Sequence, residues 1–314
     1  MFHLADGAAN WTTTWNGATH AFVPKFDPED VLKAIQGFRV TNSVLVPTMI
    51  NMLISHPALK QYDVSSLQQV LYGASPIAPD LLKRAMQALS RCRFYQGYGM
   101  TEAAPLLTVL GAEDHEAALQ NPNCKHLLAS AGKPLLGVRV RVVDENDRDV
   151  PVGGVGEIIA AGPNIMRGYW QKPEQSEKSL RGGWYHSKDM GRFDEEGYLY
   201  IVDRKDDMIV TGGENVYSTE VEAVLYEHPA VQEAAVVGVP DEKWGEAIKA
   251  IVVLRPGAKA TETDILEHCK KNLSTYKVPR SVDFLLELPK SGTGKILKTV
   301  IRDKYWTDQE RRVH

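Results

Sequence analysis

Between residues 27 and 96 the apolar positions switch repeatedly between two periods. Val31, Leu32, Ile35 and Phe38 recur at helical spacing, and Asp27-Pro28 ahead of them offers an N-cap followed by proline in the first turn. "SVLVP" predicts a short buried strand, "TMINMLISH" a helix, "LQQVLYG" a strand, "APDLLKRAMQAL" a helix and "CRFYQ" a further strand. Strands alternating with helices predict a parallel α/β sheet. Glycine-rich turns, "YGAS" and "GYGMTE", follow two of the strands. Ligands of such sheets bind beyond the strand carboxyl ends, so those turns are where a site is expected.

From about Gly132 to Val202 the pattern becomes antiparallel. "VRVRVVDENDRDVPVGGVGEIIAAG" alternates in short stretches around Asp, Asn and Gly turns, and "GRFDEEGYLYIV" predicts a hairpin around "DEEG". A small barrel-like or sandwich subdomain is expected. Beyond "VDRKDD" the pattern changes again. Thr219 and Glu222 have capping-box spacing ahead of Val221, Val224 and Leu225. Strands "EAAVVGVP" and "EAIKAIVVL", helix "ETDILEHCKKNL", strand "SVDFLLELP" and a last helix from Ile296 complete a compact α+β unit. The expected division is therefore 1–202 for the remainder of a large domain (α/β 1–131, β-rich 132–202), a charged hinge at 203–206, and 207–314 for a carboxyl-terminal domain. The opening "MFHLADGAANW" predicts a Gly/Ala turn and no leading strand.

Composition narrows the function classes. The 314 residues are 43% hydrophobic and 24% charged, as in an ordinary globular protein, and the formal net charge is -4. No polyanion-binding footprint is present, which argues against nucleic acid as a partner. Cys92, Cys124 and Cys269 form no CxxC pair, and the nine histidines show no metal-ligand spacing. That usage suits a reducing, cytoplasmic setting without a disulfide framework or zinc site. No apolar run reaches the roughly 18 residues of a membrane span, and no signal-peptide pattern opens the chain. Neither nucleotide fingerprint occurs: "GGVGEI" is not GxGxxG, and Gly294-Lys295 lacks the rest of a P-loop.

The informative signal is an ordered set of motifs. "YGAS" at Tyr72 to Ser75 and "GYGMTE" at Gly97 to Glu102 precede "WYHSKDMG" at Trp184 to Gly191, then "DRKDDMIVTGGENV" from Asp203 and "PKSGTGK" ending at Lys295. Together they resemble the adenylate-forming superfamily of acyl-CoA synthetases, peptide-synthetase adenylation domains and beetle luciferases, from His3 to about Tyr305. The resemblance implies ATP-dependent activation of a carboxylate to an acyl-adenylate, followed by thioesterification to CoA. It implies ATP/AMP, Mg²⁺ and CoA as cofactors and a fatty or aryl acid as substrate.

The roles it implies fall on particular residues. Thr101 contacts the ATP phosphate and Glu102 the metal, chemistry that suits a hydroxyl and a carboxylate at a strand end. Gly73, Ala74, Ser75 and Tyr98 lie along the adenine, while Asp189 and Arg204 hold the ribose. Lys295, on a glycine-flanked loop, stabilises charge developing on the α-phosphate and carboxylate oxygens. Asp206 is the hinge about which the small domain rotates between half-reactions. Gly212 and Gly213 then come beside the pantetheine. Trp244, Tyr276, Lys277 and Arg280 match positions near the CoA nucleotide, for which an aromatic face and basic groups are suited. His3, Trp15, Gly97, Pro105 and Leu106 are pocket residues for the acyl group.

One departure qualifies the expectation. The family places a Ser/Thr/Gly-rich phosphate loop and a whole α/β subdomain ahead of the histidine motif, and neither precedes Phe2. The chain by itself is expected to activate carboxylates poorly, and to associate with itself through an exposed apolar face. Three other readings stand beside the ligase: an adenylation domain loading a carrier protein, a non-catalytic remnant that binds AMP or CoA, and half of a split enzyme.

Overall fold

Asp27 caps the second helix as its sequence predicts: its carboxylate accepts the N–H groups of Glu29 and Asp30 at 2.9 and 3.1 Å, and Pro28 opens the first turn. The helix buries Leu32 and Ile35. In the computed structural model, which describes residues 4–73, 77, 79–291 and 295–306, such local signals build the first sheet. Its elements are α1 (Leu4–Trp15), α2 (Pro28–Phe38), β1 (Asn42–Leu45), α3 (Pro47–Ser55), β2 (Gln69–Gly73), α4 (Pro79–Ala88), β3 (Arg93–Gly99), β4 (Leu106–Leu110), α5 (Ala112–Gln120) and β5 (Lys133–Pro134). The strand order is β1-β2-β3-β4-β5. β1, β2 and β3 pair in parallel, as the β–α alternation predicts, whereas β4 and β5 join antiparallel and make the sheet mixed. Leu32, Ile50, Leu53, Val70, Leu82 and Phe94 fill its core.

The β-rich segment forms a four-stranded sheet from β6 (Arg139–Val143), β7 (Gly156–Ala161), β8 (Tyr185–Phe193) and β9 (Leu199–Arg204), in that order, with α6 (Pro173–Ser179) between β7 and β8. The sheet is open, and no barrel closes among the described residues. Thereafter come β10 (Ile209–Thr211), β11 (Glu214–Val216), α7 (Ser218–Glu227), β12 (Val231–Asp241), β13 (Gly245–Leu254), α8 (Glu262–Asn272), β14 (Ser281–Phe284) and α9 (Lys298–Asp303). Their sheet runs β11-β10-β13-β12, with β14 parallel on β13. The described residues fall into two compact units. One comprises the chain up to Ser187 with Gly191–Ile201, the other Lys188–Met190 with the chain from Val202 onward.

Several local expectations give way to tertiary contacts. The opening segment, read as a turn, is the helix α1, although it buries none of its residues. Thr219 and Glu222 make no capping box. Helix α7 starts at Ser218 behind Tyr217, Thr219 Oγ1 donates to the Val202 carbonyl, and Glu222 is taken by distant partners. A buried backbone or ammonium group competes better for a carboxylate than a local N–H does. "SVDFLLELP" leaves its strand at Phe284, and Leu286 is 99% exposed. The last helix begins at Lys298, because Ile296 is occupied in a bridge to Lys290. No helix among the described residues is long and apolar enough to cross a membrane.

Candidate functional site

In the first unit the strand ends are stripped of side chains. Gly73 and Gly97 face each other in the β2–β3 register, and a Cβ on Gly73 would collide with the Gly97 carbonyl. A Cβ on Gly97 would stand 2.7 Å from Leu106 Cδ2, so Gly97 and Leu106 close one wall together. Bare backbone beside an apolar wall suits a flat ring or an acyl chain. Tyr98, between Gly97 and Gly99 in sequence, packs toward Ala103 and Leu107. Thr101 and Glu102 lie in a single 3-10 turn directly after β3, with Pro105 beyond it.

That turn is held by residues that the sequence did not single out. The Asn164 amide donates to the carbonyls of Ala103 and Leu106 at 2.8 and 2.9 Å, and Met166 N–H donates to the Glu102 carbonyl at 2.8 Å. Tyr169 Oη donates to Glu102 Oε1 at 2.9 Å. Burial first, and then this carboxylate, push the Tyr169 hydroxyl above its ordinary value, so it stays a donor. All three come from "GPNIMRGYW", whose only signal in sequence was an asparagine and an aromatic in a glycine-bounded loop. Glu102 is half-buried, and one oriented carboxylate is enough for a Mg²⁺ ion that keeps most of its waters and takes substrate phosphates. The structure therefore fits the metal at Glu102. The grouping of three His/Cys/Asp/Glu side chains within ligating reach among the described residues is His126, Asp194 and Glu196, which does not include Glu102. Trp15 is 89% exposed at the end of α1 and forms no pocket wall there. His3, Ala74 and Ser75 lie outside the described residues.

The second unit gathers the ribose candidates and the lysine. Arg204 Nε is 3.0 Å from Asp189 Oδ1; the aspartate is buried and half of the arginine side chain is open to solvent. Lys188, beside Asp189, adopts φ 62°, which costs a side-chain-bearing residue about 1–2 kcal/mol. Its ammonium pairs with Asp206 at 3.3 Å, and its carbonyl accepts Lys205 N–H at 2.8 Å. The hinge candidate is thus tied to the strand that carries Asp189. Burial of its ammonium, together with the Arg204 charge, pushes Lys295 below the ordinary lysine value; Asp189 and Asp207 pull the other way. Lys295 is exposed as a residue, so this crowding acts at the charged tip of the side chain.

The CoA candidates also assemble within the second unit. The Arg280 guanidinium lies 5.1 Å from the centroid of Trp244 and the Lys243 ammonium 4.8 Å, so the indole face is already cationic in its surroundings. Tyr276 and Arg280, with Thr211, Ile248 and Lys270, line a cavity of about 460 Å³. Lys277 is differently placed: both oxygens of Glu220 lie 2.7 Å from its ammonium, and this pairing raises its pKa. Gly212 and Gly213 have φ 62° and 86°. A Cβ on Gly212 would stand 2.6 Å from Trp244 Cε3. Gly212→Ala is expected to lower the stability of this unit by about 2 kcal/mol, combining left-handed strain with overpacking. A urea midpoint equal to that of the parent protein would refute this.

Comparison with known proteins adds a family signal. Residues 1–170 match the family described as AMP-binding enzyme, and residues 220–295 match the AMP-binding enzyme C-terminal domain. The chain is 41% identical over 306 residues to a feruloyl-CoA synthase of an Amycolatopsis species, an alignment covering 97% of this chain and 60% of that protein. It is also 41% identical to a medium/long-chain-fatty-acid–CoA ligase of Mycobacterium tuberculosis, over 98% of this chain and 54% of the relative. Among solved structures, o-succinylbenzoate CoA synthetase of Bacillus subtilis in complex with its acyl-adenylate intermediate gives a TM-score of 0.83 at 32% identity. That match covers 96% of this chain and 59% of the other. The chain thus spans 54–60% of the length of these curated relatives.

Proposed function

The chain belongs to the AMP-binding enzyme family, and on that premise we propose that it serves an AMP-forming acid–thiol ligase acting on a fatty or aryl carboxylic acid. The observation that carries this reading is the grouping of Asp189, Arg204 and Lys295 within one unit, where two cations and a carboxylate act on one another. In the first half-reaction a carboxylate oxygen attacks the α-phosphorus of ATP, and the bond to pyrophosphate breaks. Lys295 stabilises the charge that builds on the α-phosphate and carboxylate oxygens. Asp189 accepts hydrogen bonds from the ribose hydroxyls, with Arg204 fixing the carboxylate. Gly73 and Tyr98 flank the adenine, Thr101 donates to phosphate, and Gly97, Pro105 and Leu106 line the acyl pocket. Bound at Glu102, Mg²⁺ would neutralise phosphate charge during pyrophosphate departure. In the second half-reaction the CoA sulfur attacks the acyl carbon, AMP leaves with the electron pair, and the thiol proton passes to solvent. Trp244, Tyr276 and Arg280 take the CoA nucleotide, with Gly212 and Gly213 along the pantetheine and Asp206 as the hinge.

The relatives' names, a feruloyl-CoA synthase and a fatty-acid–CoA ligase, support an aryl or alkyl carboxylate over an amino acid. The test has two arms. Calorimetry with AMP and with a non-hydrolysable acyl-sulfamoyl adenosine is expected to show binding that Asp189→Ala weakens by roughly 1.5–3 kcal/mol, the value of hydrogen bonds to a charged group. Turnover with ATP, CoA and a panel of fatty and aryl acids then identifies the acid. No affinity for either adenylate would overturn the reading. Tight adenylate binding with no acyl-CoA formed from any acid would replace it with a carrier-protein acceptor or a binding remnant.

A further inference from the structure

Helix α9 opens with Lys298, three residues after Lys295. With six residues, it is too short for its internal hydrogen bonds to place it, so tertiary contacts must do so. Ile301 buries itself against Ala235, Val237 and Ile251, but apolar burial has no direction. The directional contacts are polar. Lys298 Nζ donates to Ser218 Oγ at 2.7 Å and pairs with Glu222 Oε1 at 2.7 Å. Ser218 donates through both its N–H and its Oγ to Asp203 Oδ2, at 2.5 and 2.8 Å. Asp203 Oδ1 in turn accepts Arg204 N–H at 2.7 Å. One turn further along the helix, Arg302 donates to the Asp206 carbonyl at 2.7 Å and reaches Asp207 at 3.3 Å. On the other side of Lys295, its carbonyl accepts Ser291 N–H at 2.8 Å, and Leu297 N–H donates to the Pro289 carbonyl at 2.9 Å. A continuous path of hydrogen bonds therefore runs from the start of α9 to the backbone of Arg204.

We propose that Lys298 is a positioning residue for Lys295: held by Glu222 and Ser218, it sets the register between Lys295 and the Arg204–Asp189 pair. This rests on the reading of Lys295 as the adenylation lysine. Stability alone does not account for the arrangement, since a well-packed apolar side chain stabilises a buried site about as well as an ion pair. What the ion pair adds is a fixed direction for a short helix. The lowered pKa of Lys295 agrees with a side chain kept near Arg204.

The test is Lys298→Met in the whole chain. Methionine has similar reach, and the Glu222 carboxyl left behind can take up a proton, because burial already pushes it up to about 7. Brief labelling with acetic anhydride across a pH series, read by mass spectrometry lysine by lysine, follows Lys295 against the exposed Lys172. In the parent protein Lys295 is expected to react at lower pH than Lys172. Ser218→Ala, which leaves every charge in place, moves the Lys295 profile up toward that of Lys172; Lys298→Met moves it further, part of that shift being the loss of the Lys298 charge that also lowers Lys295; and Lys298→Arg retains the parent profile. Wherever adenylation is measurable, Lys298→Met should lower kcat roughly 100-fold, the penalty of an ångström-scale misplacement, with KM for ATP little changed. An unchanged Lys295 profile in Ser218→Ala, or in folded Lys298→Met, overturns the proposal. The labelling arm needs no turnover, so its failure is distinct from failure of the ligase reading.

Discussion

Lys295→Ala is expected to slow acyl-adenylate formation by about 10²–10³-fold, the usual loss when one preorganised charge-stabilising group is removed. Thioester formation from supplied acyl-adenylate should change little, because the proposed role of Lys295 is to answer charge that develops on the α-phosphate in the first half-reaction. Single-turnover pyrophosphate release, beside acyl-CoA formation from synthetic adenylate, separates the two steps. An equal loss in both would show that the lysine serves general binding or folding instead. The lowered pKa adds a second signature. On the proposed function the lysine acts as a cation, so adenylation is expected to fall as pH rises through its folded-state value, below the range of an ordinary lysine. That alkaline limb should vanish in Lys295→Ala.

Above pH 7, where the Glu222 carboxyl is ionised, Glu222→Ala is expected to destabilise the second unit by about 3–5 kcal/mol, because it leaves the Lys298 ammonium buried without its carboxylate. The two side chains are only 13% and 15% exposed, so solvent screens the pair weakly. Glu222→Gln, which keeps the one oxygen that accepts from both Val236 N–H and Lys298, should cost less. The pH dependence follows from burial, which raises Glu222 to about 7 against 4.5 for a free side chain. Between those values the folded protein holds a proton that the unfolded chain releases. The stabilisation from this group is complete below about 4.5 and is lost as pH rises through 7. Asp203, also raised by burial, has the same sign. Urea titrations of the parent and Glu222→Gln should therefore diverge across that window, the parent losing stability faster as pH rises. A constant difference would mean that Glu222 is ionised throughout.

Much of the fold is legible in local sequence pattern. The Asp27-Pro28 cap, the β–α alternation and the apolar faces of α2 and α4 depend on neighbours within four or five residues, and local spacing records such contacts. Asp189 and Arg204, which the motifs single out as ribose candidates, meet each other as a 3.0 Å ion pair, a contact that the motif order does not specify. Thr219 and Glu222 show the opposite outcome. Their spacing satisfied a local rule, but Val202, Val236 and Lys298, distant in sequence, claimed them. Asn164 and Tyr169 carry no local signal for the same reason, since they act on a turn more than sixty residues earlier.

The sequence by itself determined the β–α alternation from α2 to β3, the family-like motifs and the residue types that they carry, because each is written in short-range pattern. Tertiary structure alone decided which charges meet. It bound Lys298 to Glu222 and Ser218, turned Lys277 toward Glu220, laid Arg280 over Trp244 and left Trp15 in solvent. Those outcomes depend on desolvation and on partners brought together by folding, quantities that no local spacing encodes.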